Sequence, residues 1–154
     1  MSYEIRGLRP GELQEHAELV YRSYREYVKD ESDGLADPRW WLHVVENDPY
    51  YSPEQTRVMV IDGRLVSTVT NYLRWMHCAG RQAKVSAIGS VATDPDYRGR
   101  GYVRQVLAES RRWMEAERFN FCFLFGNEQV YGSSGWRMFS AFETIASVRT
   151  PQKE

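Results

Sequence analysis

Apolar and polar positions recur along this chain in two different rhythms. Leu13, Ala17, Val20, Tyr21 and Tyr24 return at helical spacing and predict a helix from residue 10 to about residue 28. Pro10 suits its first turn, where a missing N–H costs nothing. Residues 3–8 alternate weakly and predict a short strand before it. Residues 30–38 are polar, with a glycine and a proline, and read as a loop. Residues 39–46 predict a second short helix, which two prolines within 48–54 bring to an end.

The rhythm then changes to strands. Residues 56–61 are rich in β-branched side chains. Asp62-Gly63 is the strongest hairpin signal in the chain, and residues 65–75 carry the return strand. Residues 78–82 read as another turn and 84–93 as a third strand, with Gly89 as a candidate bulge or close-approach point. A loop over 94–101 holds Pro95, Gly99 and Gly101. In the helix that follows, Val103, Val106, Leu107, Ser110, Trp113 and Met114 mark an inner face, and Arg104, Glu109, Arg111, Arg112 and Glu115 an outer one. Residues 119–125 form a nearly continuous apolar run, as expected of a strand buried on both faces. A Gly/Ser-rich segment over 126–135 leads to a last candidate strand at 142–148. An antiparallel meander followed by strand–helix–strand predicts an α/β domain: a mixed, mostly antiparallel, twisted sheet flanked by helices.

Length and charge narrow the class. The 154 residues fit a single domain spanning 1–154. Lys plus Arg number 20 and Asp plus Glu 21, a balance that argues against an electrostatically driven nucleic-acid partner. No apolar run approaches the roughly 20 residues that span a bilayer, so no membrane role is expected. The N-terminus has no apolar secretory region, which makes the cytoplasm the expected compartment. Cys78 and Cys122 cannot make a disulfide framework. His16, His43 and His77 lie far apart, and no Cys or His pair has zinc spacing, so no metal is expected. The one unusual figure is a 14% aromatic content, enough to build a core and to line a pocket.

Chemistry concentrates at Val91-Ala92-Thr93-Asp94-Pro95-Asp96-Tyr97-Arg98-Gly99-Arg100-Gly101-Tyr102. A strand ends, a glycine-containing turn follows and an amphipathic helix begins. The first N–H groups of a helix lack intrahelical partners, and with the helix dipole they favour an anion. Gly99 and Gly101 allow close backbone approach. Arg98 and Arg100 add donors suited to phosphate. A pyrophosphate fits such a turn, whereas a P-loop would need Gly-Lys-Ser/Thr, which is absent.

These residues resemble the GCN5-related N-acetyltransferase (GNAT) family, whose signature turn is Gln/Arg-x-x-Gly-x-Gly/Ala. Arg98 and Gly101 match it, and Val103 stands where the family usually has Gly or Ala. The resemblance implies acetyl-CoA as co-substrate. Backbone groups of Val91 and Thr93 would pair with its pantetheine arm. The amides from Gly99 through Arg100, Gly101 and Tyr102 to Val103, with Arg98, would hold its pyrophosphate. Val130-Tyr131-Gly132-Ser133-Ser134-Gly135-Trp136 is similar to a segment of Eis-type (enhanced intracellular survival) acetyltransferases. The expected match is to the first module of that subfamily.

By the same resemblance Tyr131 is the acid that protonates the leaving thiolate, and the Val91 N–H is the oxyanion donor. Tyr24, Tyr27, Trp40 and Trp41 lie where the family builds its acceptor wall, and their rings can enclose an amine through cation–π contact. Glu128 and His77 are weaker candidates for a base, and Asp30, Glu31 and Asp33 could attract a cationic acceptor. The expected activity is acetyl transfer to a primary amine of a small molecule or peptide by direct attack. A non-catalytic acyl-CoA-binding or sensor module is the alternative, and a homodimer is compatible with the aromatic surplus.

Overall fold

The computed structural model describes residues 2–28, 30, 37–126, 131 and 135–137. The expected strand at 142–148 and Glu31, Asp33 and Glu128 lie outside these. Among the described residues the elements are β1 (Tyr3–Gly7), α1 (Leu13–Tyr24), α2 (Pro38–Glu46), β2 (Thr56–Ile61), β3 (Arg64–Cys78), β4 (Arg81–Thr93), α3 (Tyr102–Ala116) and β5 (Phe121–Leu124). Each α-helix begins where a local signal puts it. Pro10–Glu12 forms a single 3-10 turn before α1. Asp37 caps α2 by accepting from the Arg39 N–H, with Pro38 in the first turn.

The strands form one five-stranded sheet in the order β1-β2-β3-β4-β5. The first four pair antiparallel as neighbours, and β4 pairs parallel with β5 across α3. Asp62 and Gly63 both take positive φ, 47° and 84°, in the geometry a two-residue hairpin demands. Ala79 and Gly80 repeat it, at 50° and 78°, which tightens the second turn. As a result β3 and β4 extend farther than their apolar patterns alone predict.

α3 covers one face. Val106, Leu107 and Met114 pack on Met59, Ile61, Val66, Val69 and Ile88, with Val103 and Trp113 at the margin. On the other face Leu19 of α1 packs with Leu8, Val58, Val60 and Leu65. β5 departs from expectation. Phe121 is 42% exposed, Phe125 is 92% exposed, and the strand pairs only with β4 among the described residues. A strand with one described neighbour is half-buried despite its continuous apolar run.

His16 is the other surprise. It faces inward from α1, is 1% exposed, and neither ring nitrogen has a hydrogen-bond partner. Burial lowers its pKa from 6.5 to about 4. The folded state therefore holds it neutral while the unfolded chain protonates it. Its stabilising contribution is complete above pH 6.5 and is lost as pH falls from there toward 4, for a total of about 3 kcal/mol. Followed by urea titration from pH 7.5 to 4, the unfolding free energy of wild type should fall across that window relative to that of His16→Met. A constant difference would show that the ring does not titrate there.

Candidate active site

A bulge near the end of β4 shapes the candidate site. Gly89 pairs with Thr70 and Ala92 with Thr68, so Ser90 and Val91 together oppose Val69. The left-handed residue is Ser90, with φ 48°, not Gly89. Gly89 serves instead as the close-approach point, since a Cβ there would lie 3.0 Å from the Tyr72 ring. Just ahead of the bulge β4 loses β5, whose ladder with it stops at Ile88–Leu124. The edge of Gly89–Thr93 away from β3 thus has no strand partner among the described residues.

Val91 and Thr93 sit on this open edge. The Ala92 carbonyl turns toward β3, where it accepts from Ser67 Oγ at 2.9 Å. By the two-residue period of a strand, the Val91 and Thr93 carbonyls turn the other way. Both are met by the end of α1. Tyr24 OH donates to the Val91 carbonyl at 3.0 Å, and Ser23 Oγ shares its one proton between the Leu19 carbonyl at 2.8 Å and that of Thr93 at 3.1 Å. The Val91 oxygen keeps a second lone pair, whereas that of Thr93 also has Arg98 Nε at 3.4 Å.

The turn that follows carries the anion-site geometry. Gly99 and Gly101 both have φ 74°, and Gly101 is the N-cap of α3 with no side-chain cap. Nothing lies within 4 Å of a Cβ built on either. The backbone here is open to a ligand, and a side chain is excluded by conformation rather than by crowding. Tyr102 and Val103, in the first turn, lean on the α3-side core. Arg100 lies over the Tyr97 ring, 5.3 Å from its centroid, and donates to the Asp96 carbonyl.

Arg98 is placed differently from a free phosphate ligand. Its Nη2 donates to the Ser23 carbonyl at 2.7 Å, its Nη1 meets Glu26 at 2.5 Å, and its Nε reaches the Thr93 carbonyl at 3.4 Å. It ties the turn to the end of α1. Asp94 ties it again. Only 2% exposed, its Oδ2 accepts from Arg64 at 2.8 Å and Arg22 at 3.2 Å, while Oδ1 accepts the Asp96 N–H at 3.1 Å. Sequence reasoning passed over Asp94. An Asp before Pro signals a turn cap, but nothing local says that arginines from α1 and β3 converge on it.

The four aromatics expected in an acceptor wall come together. Tyr24 stacks at 5.4 Å from Trp41 and 6.1 Å from Tyr27, and Trp41 meets Trp40 at 4.7 Å. Tyr27 and Trp40 remain exposed, at 65% and 40%. Burial, with a smaller contribution from Tyr131, pushes the Tyr24 phenol up to about 12. Tyr24 is therefore a hydrogen-bond donor at neutral pH. Tyr131 packs on the α3-side core with its ring 6.5 Å from that of Trp136, and burial raises its phenol as well. Gly126 makes room for it, since a Cβ at that position would run into the Tyr131 ring. Sequence reasoning missed this glycine, whose need is visible only from its neighbour.

Of the remaining candidates, His43, His77 and Cys78 are exposed, and Cys122 is half-buried with its thiol pushed up by burial. No group of three metal-ligating side chains occurs among the described residues, and no described helix is long and apolar enough to cross a membrane.

A parallel β4–β5 pair that parts ahead of an uncapped helix N-terminus places this chain among α/β domains with a backbone edge and an anion-favouring helix start open to a ligand. The acetyltransferase (GNAT) domain model matches residues 4–139, and the chain belongs to this family. A possible acetyltransferase from Clostridium difficile 630 superposes with a TM-score of 0.75 at 16% identity, covering 97% of this chain and 100% of that one. A GNAT family acetyltransferase from Brucella melitensis, solved in complex with acetyl-CoA, gives 0.72 at 15% identity, covering 89% and 84%. A conserved protein of unknown function from Enterococcus faecalis V583, described as a probable N-acyltransferase, gives 0.68 at 17% identity. The match covers 86% of this chain but 32% of that one, about a third of its length. At these identities the likeness is one of fold. No curated protein matches the sequence.

Proposed function

We infer that this domain, taken as residues 1–154, transfers an acetyl group from acetyl-CoA to a primary amine of a small molecule or peptide by direct attack. The observation that carries this reading is the open β4 edge running straight into the uncapped start of α3. Acetyl-CoA, when bound, supplies the acyl thioester. The fit rests on the bare backbone of Gly99 and Gly101 and on the second lone pair of the Val91 carbonyl. Amides of Gly99–Val103 would take the pyrophosphate, and Val91 and Thr93 the pantetheine arm.

The roles of the chain's own groups follow from their chemistry. The Val91 N–H leaves the strand on the same side as its carbonyl, toward the open edge, and is the donor for charge developing on the carbonyl oxygen. Tyr131 stays protonated and can donate to the leaving sulfur. Tyr24, Tyr27, Trp40 and Trp41 form a wall whose ring faces attract an amine before it loses its proton.

Two measurements test the reading. Calorimetric titration reads acetyl-CoA affinity, and thiol detection reads CoA release over a panel of spermidine, kanamycin, lysine and short peptides. Binding with turnover is the expected result, while binding without any release would leave a sensor module instead. Arg98→Ala, which frees the turn from α1, should raise the acetyl-CoA Kd about tenfold, in line with the loss of charge-assisted hydrogen bonds. An unchanged Kd would remove Arg98 from the cofactor site.

A further inference from the structure

Ser90 is a β-hydroxyl residue in a conformation that favours glycine, φ 48°, and it is 6% exposed. Its dihedrals set the direction of the next peptide group, which carries the Val91 N–H. Something must hold it there. Tyr72 on β3 does so directly, with its OH 3.0 Å from Ser90 Oγ.

Tyr72 is in turn braced on several sides. Its ring lies against Gly89, where a Cβ would approach to 3.0 Å. The Arg74 guanidinium sits 5.7 Å from its ring centroid, and the Tyr51 ring 6.3 Å away. Thr70 lies near its hydroxyl on the same face of β3. Thr70 Oγ1 meets Thr56 Oγ1 at 3.0 Å, which meets Tyr51 OH at 2.8 Å. Thr56 and Thr70 are fully buried. A line of hydroxyls therefore runs from Tyr51 through Thr56 to Thr70, beside the separate Tyr72–Ser90 pair at the bulge.

We propose that Tyr72 is a positioning residue: by holding Ser90 in its left-handed conformation, it aims the Val91 N–H into the open edge of β4. It acts through the bulge and not on the substrate. Catalysis is sensitive to this because a donor aligned with developing charge matters far more than one merely nearby. The proposal rests on the acetyl-transfer reading above.

A double-mutant cycle tests it. Tyr72→Phe removes only the hydroxyl. Ser90→Gly removes the need for the lock, because glycine adopts positive φ without strain. CoA release is followed with acetyl-CoA and hydroxylamine, an amine small enough to need no acceptor wall, after subtraction of the uncatalysed rate. Tyr72→Phe should lower kcat about tenfold, short of the roughly 100-fold loss seen when an oxyanion donor is removed outright. The KM for acetyl-CoA should stay within about twofold, because a misaimed donor costs the transition state and not the ground state. In the Ser90→Gly background the same change should cost little, since coupled residues are non-additive. An equal loss in both backgrounds overturns the lock, and so does a KM rise that accounts for the whole effect. A wild type that releases no CoA above background instead overturns the acetyl-transfer reading.

Discussion

Tyr131→Phe is expected to lower kcat about 100-fold and to leave the acetyl-CoA Kd within about twofold, the loss that the proposed role as general acid predicts. The substitution removes one oxygen and keeps the ring. That ring packs against the α3-side core and Trp136, so the fold should tolerate the change. Burial raises the Tyr131 phenol above its ordinary value, which favours the protonated form that a donor to sulfur requires. Gly126→Ala gives a second route to the same group. The new methyl would occupy ring space and push Tyr131 aside, so kcat should fall in the same direction with the hydroxyl still present. Steady-state CoA release and calorimetric binding separate the two parameters. Full turnover in Tyr131→Phe would show that the thiolate leaves without this donor.

Asp94→Ala should both destabilise the domain and loosen the cofactor turn. The carboxylate is 2% exposed and gathers Arg22, Arg64 and the Asp96 N–H. Its backbone joins in, with the Asp94 N–H bonded to the Val66 carbonyl and the Asp94 carbonyl accepting the Tyr97 N–H. Removing the carboxylate leaves two arginines that are 38% and 48% exposed, so water recovers part of their charge. The expected loss is about 2 kcal/mol, below that of a fully buried pair, and about 4–8 °C in Tm for a domain of this size. Acetyl-CoA affinity should fall with it, about tenfold, because the turn loses its anchor to α1 and β3 while the Gly99–Val103 amides are unchanged. Asp94→Asn keeps a cap for Asp96 and should fall between. Thermal unfolding and calorimetry read the two effects, and a normal Kd with a lowered Tm would confine Asp94 to stability.

The elements were legible where local chemistry decides them. Asp62-Gly63 closes a hairpin, and the apolar stripe of α3 faces the sheet. Residues whose surroundings come from distant segments were harder to read. His16 is not among the apolar positions that predict α1, yet it faces the interior. Gly89 reads from sequence as a bulge or a close-approach point; the fold makes it the close approach to Tyr72, and the left-handed conformation falls on Ser90. The run over 119–125 read as doubly buried because hydrophobicity shows that a strand wants cover, not how many neighbours supply it.

The candidate site divides along the same line. The glycine-containing turn, the helix it opens and the sheet class follow from the sequence, because backbone freedom and apolar periodicity are local properties of neighbouring residues. Tertiary structure decided what the turn's side chains hold. Arg98 reaches back to Ser23 and Glu26, Asp94 collects arginines from two other elements, and Tyr24 donates to Val91 across 67 positions. Each of these is a contact between segments far apart in sequence, and only the folded sheet brings the partners within hydrogen-bonding distance.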